Sequence, residues 1–375
     1  MLLSPDQEMI RDAVRDFAQR ELWPHAAKWD KEHHFPKDVH QGLAALGAYG
    51  ICVPEDLGGA GLDYLTLALV LEEIAAGDGG TSTAISVTNC PVNAILMRYG
   101  NAAQQQRWLK PLAQGEMLGA FCLTEPHVGS DASALRTTAT REGDEYVLNG
   151  VKQFITSGKN GHVAIVIAVT DKGAGKKGMS AFIVPTNAPG WVVARLEEKL
   201  GQHSSDTAQI VLEQCRIPAE NLIGQEGEGY KIALSALEGG RIGIAAQSVG
   251  MARSALDFAI AYAKERQSFG KPIFEHQAVG FRLADCATQL EAARQLTLHA
   301  ARLKADGRPA LEAACMAKLF ASEAAEAICT ASIQTLGGYG FLADYPVERI
   351  YRDVRVCQIY EGTSDVQKLI LQRML

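Results

Sequence analysis

The sequence contains no apolar run that approaches the ~20 residues a membrane-spanning helix needs. The opening MLLSPDQEMIRDAVRDF is broken by charges and lacks the apolar core of a secretory signal. A cytoplasmic protein is expected, or an organelle protein without its transit peptide. There is no basic excess: 36 Lys and Arg stand against 43 Asp and Glu, for a net charge of −7. That argues against broad electrostatic binding to nucleic acid, which needs a basic footprint. Paired cysteine motifs are missing too. The eight cysteines, Cys52, Cys90, Cys122, Cys215, Cys286, Cys315, Cys329 and Cys357, form no C-x-x-C and no zinc spacing with histidine, so no metal is expected. They read as free buried thiols in a reducing compartment. Also absent are the phosphate loop G-x-x-x-x-G-K-[ST], the zinc helix H-E-x-x-H and the nucleophile elbow G-x-S-x-G.

What is present is ample material for a core. Apolar residues make up 47% of the 375-residue chain and charged residues 21%. This length exceeds one ordinary core and predicts two or three domains. The first ~118 residues carry helical periodicity. Ser4-Pro5 reads as an N-cap with Pro at the first helical position, followed by Met9, Ile10, Ala13, Val14 and Phe17 at helical spacing. DYLTLALVLEEIAAGD is a largely apolar, buried helix. NAAQQQRWLKPLAQGE is another, stopped or bent near Pro111.

Near residue 120 the texture turns to strands. YVLNGVKQFIT places two β-prone runs about Asn149-Gly150, a hairpin signal. HVAIVIAVT is a buried strand, and MSAFIVPT and AQIVLEQCRIP continue the series. From ~229 long Ala-rich helices follow. One places Leu283, Ala287 and Leu290 on a face and ends near Gly307. The next ends at Gly337-Gly338, which can supply a left-handed C-cap. The expected fold is α+β multidomain: an N-terminal α-helical domain (1–118), a middle β domain (119–228) and a C-terminal four-helix-bundle domain (229–375).

Two glycine-containing stretches invite a cofactor reading. GYGFLA (338–343) satisfies the dinucleotide fingerprint in letters, but an Ala-rich helix precedes it where a strand is required, which excludes a Rossmann unit. In FCLTEPHVGSDASALRTTA, Thr124, Gly129 and Ser130 offer hydroxyl and N–H donors, or an ordinary turn-rich loop. IYEGTSDVQ (359–367) reads as a helix start, with Ser364 and Gln367 at capping-box spacing. Glu361, just outside that cap, is either a surface carboxylate near a helix N-terminus or a base on a Gly-flanked hinge.

Five separated stretches in order decide between these alternatives. LTEPHVGSD, NGVKQFITSG, ERQSFGKPIFEHQ, QTLGGYGFLADYPVERIYRD and IYEGTSDVQ together resemble the FAD-dependent acyl-CoA dehydrogenases, over essentially the whole chain. The resemblance implies three domains in the derived order and a homotetramer built as a dimer of dimers. It implies α,β-dehydrogenation of an acyl-CoA to a trans-2-enoyl-CoA, with electrons passing to electron-transfer flavoprotein. Glu361 matches the catalytic base, which removes the pro-R α-proton while a β-hydride passes to flavin N5. The Glu361 N–H and the flavin ribityl 2′-hydroxyl would hold the thioester oxygen.

The match points to Phe121, Leu123, Thr124, Gly129, Ser130, Phe154 and Thr156 around the isoalloxazine, with Phe154 where many relatives have Trp. Arg266, Phe269, Gln277, Gln334, Gly337 and Gly338 would come from a neighbouring subunit to the pyrophosphate and adenosine end, with Thr363 and Asp365 at the last helix start. Ser130, Glu238, Gly239, Gly240, Arg241 and Gly362 are the substrate-side residues. One departure is Val128, where the first signature usually has a small residue, preceded by His127; a branched side chain there bears on the geometry of the flavin loop more than on cofactor identity.

Base placement divides this family. In the isovaleryl and long-chain types the carboxylate precedes the Arg241 equivalent, and here that position is Gly240. The chain is most similar to the short-chain and short/branched-chain members. Two other readings are an acyl-CoA oxidase-like enzyme that uses oxygen, and a non-catalytic acyl-CoA-binding or scaffold relative; retention of Glu361, Arg266 and Arg241 argues against the last.

Overall fold

The computed structural model describes residues 3–375. Helices occupy the first 113 residues; the strands of the main sheet lie between Gly119 and Ile223, and long helices follow from Gly229. Ser4 caps the first helix, Pro5–Phe17, with a full capping box: its Oγ accepts from Gln7 N at 3.2 Å, and Gln7 Oε1 accepts from Ser4 N at 3.1 Å. Only part of the expected stripe is inward. Val14 is buried, Ile10 and Phe17 are half-buried, and Met9 and Ala13 face out. The helix Tyr64–Gly77, capped by Asp63, is buried almost throughout, including Glu72 and Glu73. Arg15, Arg253 and Arg294 neutralise those two carboxylates. Near Pro111 the helical path bends without stopping. A wide π turn over Gln105–Leu109 precedes Pro111, and the helix ends at Ala113. The widened turn accommodates a ring that would clash in a regular α-helix.

The sheet runs in the order β6 (Trp191–Leu196), β7 (Thr207–Pro218), β3 (Glu145–Thr156), β2 (Thr138–Glu142), β4 (Val163–Val169), β5 (Met179–Pro185), β8 (Leu222–Ile223), with β1 (Gly119–Cys122) paired to β4. β4 is buried at every position, as its unbroken apolar run requires. The hairpin expected at Asn149-Gly150 is not one. β3 continues straight through it, and the reversal lies at Gly143, with φ +64°. Gly150 instead marks a register shift against β7, where an added Cβ would sit 2.4 Å from Thr137 Oγ1. Glycine there serves close approach.

Three long helices, Gly229–Glu265, Gln277–Ala305 and Leu311–Leu336, pack on one another, and the first also packs on Tyr64–Gly77. In the second helix Cys286, not Ala287, lies inward, so the buried face steps Leu283, Cys286, Ala293 with Leu290 half-buried. The third ends at Gly337, but with φ +61° and ψ −133°. That is a glycine conformation outside the left-handed helical cap expected. All eight cysteines are free, seven buried and Cys52 half-buried. No helix among the described residues is long and apolar enough to cross a membrane.

Candidate active site

Glu361 sits in the segment between the turn Arg355–Gln358 and the last helix, Ser364–Gln372. Consecutive positive φ values, +55° at Glu361 and +88° at Gly362, turn the chain here. A non-glycine residue pays for that conformation, so the fold must hold it there. The expected capping box at Ser364 is corrected: Thr363 is the N-cap, its Oγ1 accepting from Val366 N at 3.3 Å. Ser364 Oγ has no partner. Gln367, completely buried, turns back and donates from Nε2 to the carbonyls of Gly362 (2.8 Å) and Glu361 (3.2 Å). Gln367 thus grips the hinge itself, leaving the cap to Thr363.

The Glu361 carboxylate rests on the helix Gly229–Glu265. A Cβ at Gly240 would lie 2.6 Å from Glu361 Oε2. One position earlier, a Cβ at Gly239 would lie 2.6 Å from Tyr64 Oη. Two glycines thus let a carboxylate and a phenol approach one helix backbone. Glu361 Oε2 is out of solvent and has no hydrogen-bond partner. Burial pushes its pKa up to about 7, against the opposing charges of Arg241 and Lys318. Arg241 is only 6% exposed, and its Nε is also unpaired. Among the described residues the backbone N–H of Glu361 meets no acceptor. A carboxyl group with a pKa near neutrality, an N–H without an acceptor and a buried guanidinium thus share one neighbourhood. Glu238 turns elsewhere, to Lys304 Nζ at 2.9 Å, which in turn lies over the Tyr64 ring.

The strand side is built by a bulge. β3 loses register with β7 between Lys152 and Ile155. There Gln153 N donates to Thr124 O at 2.9 Å, tying the strand to the 121–130 loop. Phe154 adopts φ +58° and stands 63% exposed, with half-buried Thr156 beyond it. Behind the loop, Lys152 Nζ pairs with Glu125 Oε1 at 2.9 Å and donates to Leu123 O at 3.1 Å. Glu125 also accepts from the N–H groups of Arg136 and Thr137. Phe121 and Leu123 are half-buried, and Gly129 and Ser130 are exposed at the loop tip. Val128 does not project from the loop surface. Its side chain is buried in the cluster with Trp108, Leu112 and Leu135, where it anchors the loop from behind. His127 stays at the surface, 3.6 Å from Glu125 Oε2.

The remaining candidates divide. Arg266, Gly337 and Gly338 line one surface concavity of about 380 Å³ with Tyr339 and Ser268. Gln334 lines another, of about 590 Å³, with Arg282 and Glu326. Gln277 is exposed, Phe269 is 94% exposed, and neither lines these two concavities. Asp365 is exposed in the first turn of the last helix. Sequence reasoning missed Tyr64, Lys152 and Lys318. Lys318 was discoverable, as a lone charge on the face marked by Ala314, Ala317 and Ala321. Among the described residues no cluster of His, Cys, Asp or Glu could hold a metal ion.

With this helical frame and sheet, the chain is a flavin-dependent oxidoreductase of the class that acts on a CH–CH bond. The family descriptions "Acyl-CoA dehydrogenase" for the N-terminal, middle and C-terminal domains match residues 4–116, 120–215 and 227–375. The chain belongs to the acyl-CoA dehydrogenase family. It is 46% identical to the short-chain specific acyl-CoA dehydrogenase of Rattus norvegicus mitochondria, over 98% of this chain and 90% of that one. Its structure is similar to butyryl-CoA dehydrogenase from Megasphaera elsdenii, with TM-score 0.98, 40% identity and coverage of 100% and 99%. It is also similar, at TM-score 0.99 and 45% identity over 100% and 98%, to a chain from work on the electron transferring flavoprotein of Acidaminococcus fermentans. The residues present fit FAD. An outward aromatic face at Phe154, hydroxyls at Thr124, Ser130 and Thr156, and an unpaired carboxylate oxygen suit a flat heteroaromatic beside a reacting carbon acid.

Proposed function

We propose that this enzyme dehydrogenates short acyl-CoA thioesters, of about butyryl to hexanoyl size and including 2-methyl-branched chains, to trans-2-enoyl-CoA. The observation that carries this reading is the contact between Gly240 and Glu361. A Cβ at residue 240 would meet Oε2 at 2.6 Å, so any side chain there would have to move the Glu361 carboxylate from where it rests. With Gly240, this chain takes the arrangement that the isovaleryl and long-chain types lack, and a short-chain relative is 46% identical. Glu361 accepts the pro-R α-proton. Its N–H, free of other acceptors, donates to the thioester oxygen and stabilises the enolate-like charge. Arg241 and Ser130 border the thioester, and Gly239, Gly240 and Gly362 leave it room. Bound FAD supplies the acceptor of the β-hydride.

Phe121, Leu123, Thr124, Gly129, Ser130, Phe154 and Thr156 would hold the isoalloxazine. Arg266, Phe269, Gln277, Gln334, Gly337 and Gly338 of a neighbouring subunit would hold the adenosine end, with Thr363 and Asp365 beside the chain's own cofactor. This reading implies a homotetramer divided into domains at 118/119 and 228/229, electron-transfer flavoprotein as acceptor, and a cytoplasmic or mitochondrial-matrix setting.

The test is kcat/KM for butyryl-, hexanoyl-, 2-methylbutyryl- and palmitoyl-CoA with electron-transfer flavoprotein as acceptor. At least one short substrate should exceed palmitoyl-CoA by about 100-fold or more. Palmitoyl-CoA as the best substrate would overturn the short-chain reading. Stoichiometric peroxide formation without the flavoprotein would point to an oxidase instead.

A further inference from the structure

Lys318 is 0% exposed, in a helix face otherwise made of Ala314, Cys315, Ala317 and Ala321. Burying an ammonium costs several kcal/mol unless something compensates. Among the described residues Lys318 makes no ion pair, and its only side-chain hydrogen bond runs from Nζ to the carbonyl oxygen of Gly362 at 2.8 Å. Apolar packing alone would be served better by Met or Leu.

We propose that Lys318 is a positioning residue for the base: its ammonium clamps the Gly362 carbonyl and fixes the hinge from which Glu361 presents its carboxylate. This rests on the reading of Glu361 as the base. The hinge has two consecutive positive φ values, which its surroundings must hold. Gln367 grips the carbonyls of both residues, but it lies on the helix that the hinge leads into. Among the described residues Lys318 supplies the one hydrogen bond to the Glu361–Gly362 backbone from an element other than that last helix. It therefore ties the hinge to the rigid bundle, which a precisely aimed base requires.

The clamp also carries charge. Lys318 faces Glu361 and Gly362 on the hinge, Arg241 on the first bundle helix, Cys357 on the preceding turn and Cys315 on its own helix. Glu361 faces Arg241 and Lys318, with the Cys90 thiol nearby. Burial lowers Lys318 to about 8, so the ammonium persists at neutral pH. A positive charge beside Glu361 favours its ionised form. Removing the charge raises the pKa of Glu361 further, and the acidic limb of the pH profile moves to higher pH.

The experiment uses the FAD-loaded enzyme and Lys318→Met, which keeps the stem and removes the ammonium. It measures kcat and kcat/KM against pH with butyryl-CoA. The expected result is an acidic limb about one pH unit higher and kcat at least about tenfold lower, with KM within about threefold of wild type. An infrared titration of the carboxyl stretch, assigned by its loss in Glu361→Gln, should show the same shift without turnover. If Lys318→Met does not fold, Lys318→Gln, which keeps a donor without charge, should show the limb shift. A folded variant of either kind with a wild-type limb and wild-type carboxyl titration, while Glu361→Gln is inactive, overturns the clamp alone. Wild-type turnover by Glu361→Gln overturns the base reading beneath it.

Discussion

At the scale of single residues, the site depends on what a glycine leaves out. Alanine is the better helix former, so Gly240→Ala should leave the helix intact or slightly firmer. Its methyl would nevertheless sit 2.6 Å from Glu361 Oε2 and must displace the carboxylate. A base moved by about 1 Å can lose about 100-fold in rate. We expect kcat for butyryl-CoA to fall by about that factor, with circular dichroism and flavin content unchanged. Wild-type kcat in this variant would mean that Glu361 does not act from where it rests on the helix. The sequence stretches around Glu361 and Gly240 were legible because their letters match a family. The contact between them was not, since it joins residues 121 positions apart in the numbering of one chain.

At the scale of elements, β3 shows how a local pattern misleads. Asn149-Gly150 has hairpin chemistry, yet the strand runs on because Gly150 must pass Thr137 closely. The bulge that matters lies between Lys152 and Ile155, where Phe154 turns outward, and no alternation of residue types marks it. Lys152 was equally hidden, a lysine in a strand that pairs inward with Glu125. Lys152→Met leaves that buried carboxylate without its lysine, with only two backbone N–H donors and the His127 ring beside it, and should cost about 3 kcal/mol in urea unfolding, with faster flavin loss. Adding Glu125→Leu should restore much of the stability. A single variant as stable as wild type would show that the pair does not hold the loop. By contrast, the Pro5–Phe17 helix carried its cap openly, and there the expected and observed starts coincide.

At the scale of the whole molecule, Glu361 lies where the separate parts meet. Tyr360, next to Glu361, donates to Gln247 Oε1 at 2.8 Å on the first bundle helix. Gln202, from the segment between β6 and β7, accepts from Thr83 Oγ1 at 2.8 Å and donates to the Asp353 carbonyl at 3.2 Å. N-terminal helix, β region and bundle are thus bonded to one another behind the hinge. The order of these parts was readable from periodicity, because long apolar repeats and strand runs are local signals. Their mutual bonding was not, because it depends on lone polar residues distant in sequence.

The central claim is that Glu361 is the base of an acyl-CoA dehydrogenase. Its most direct test is anaerobic mixing of the FAD-loaded enzyme with butyryl-CoA, following the flavin absorbance in wild type and in Glu361→Gln. The account predicts rapid bleaching by the wild type, and a variant that binds the thioester but bleaches at least about 1,000-fold more slowly. Bleaching of Glu361→Gln at the wild-type rate would contradict it.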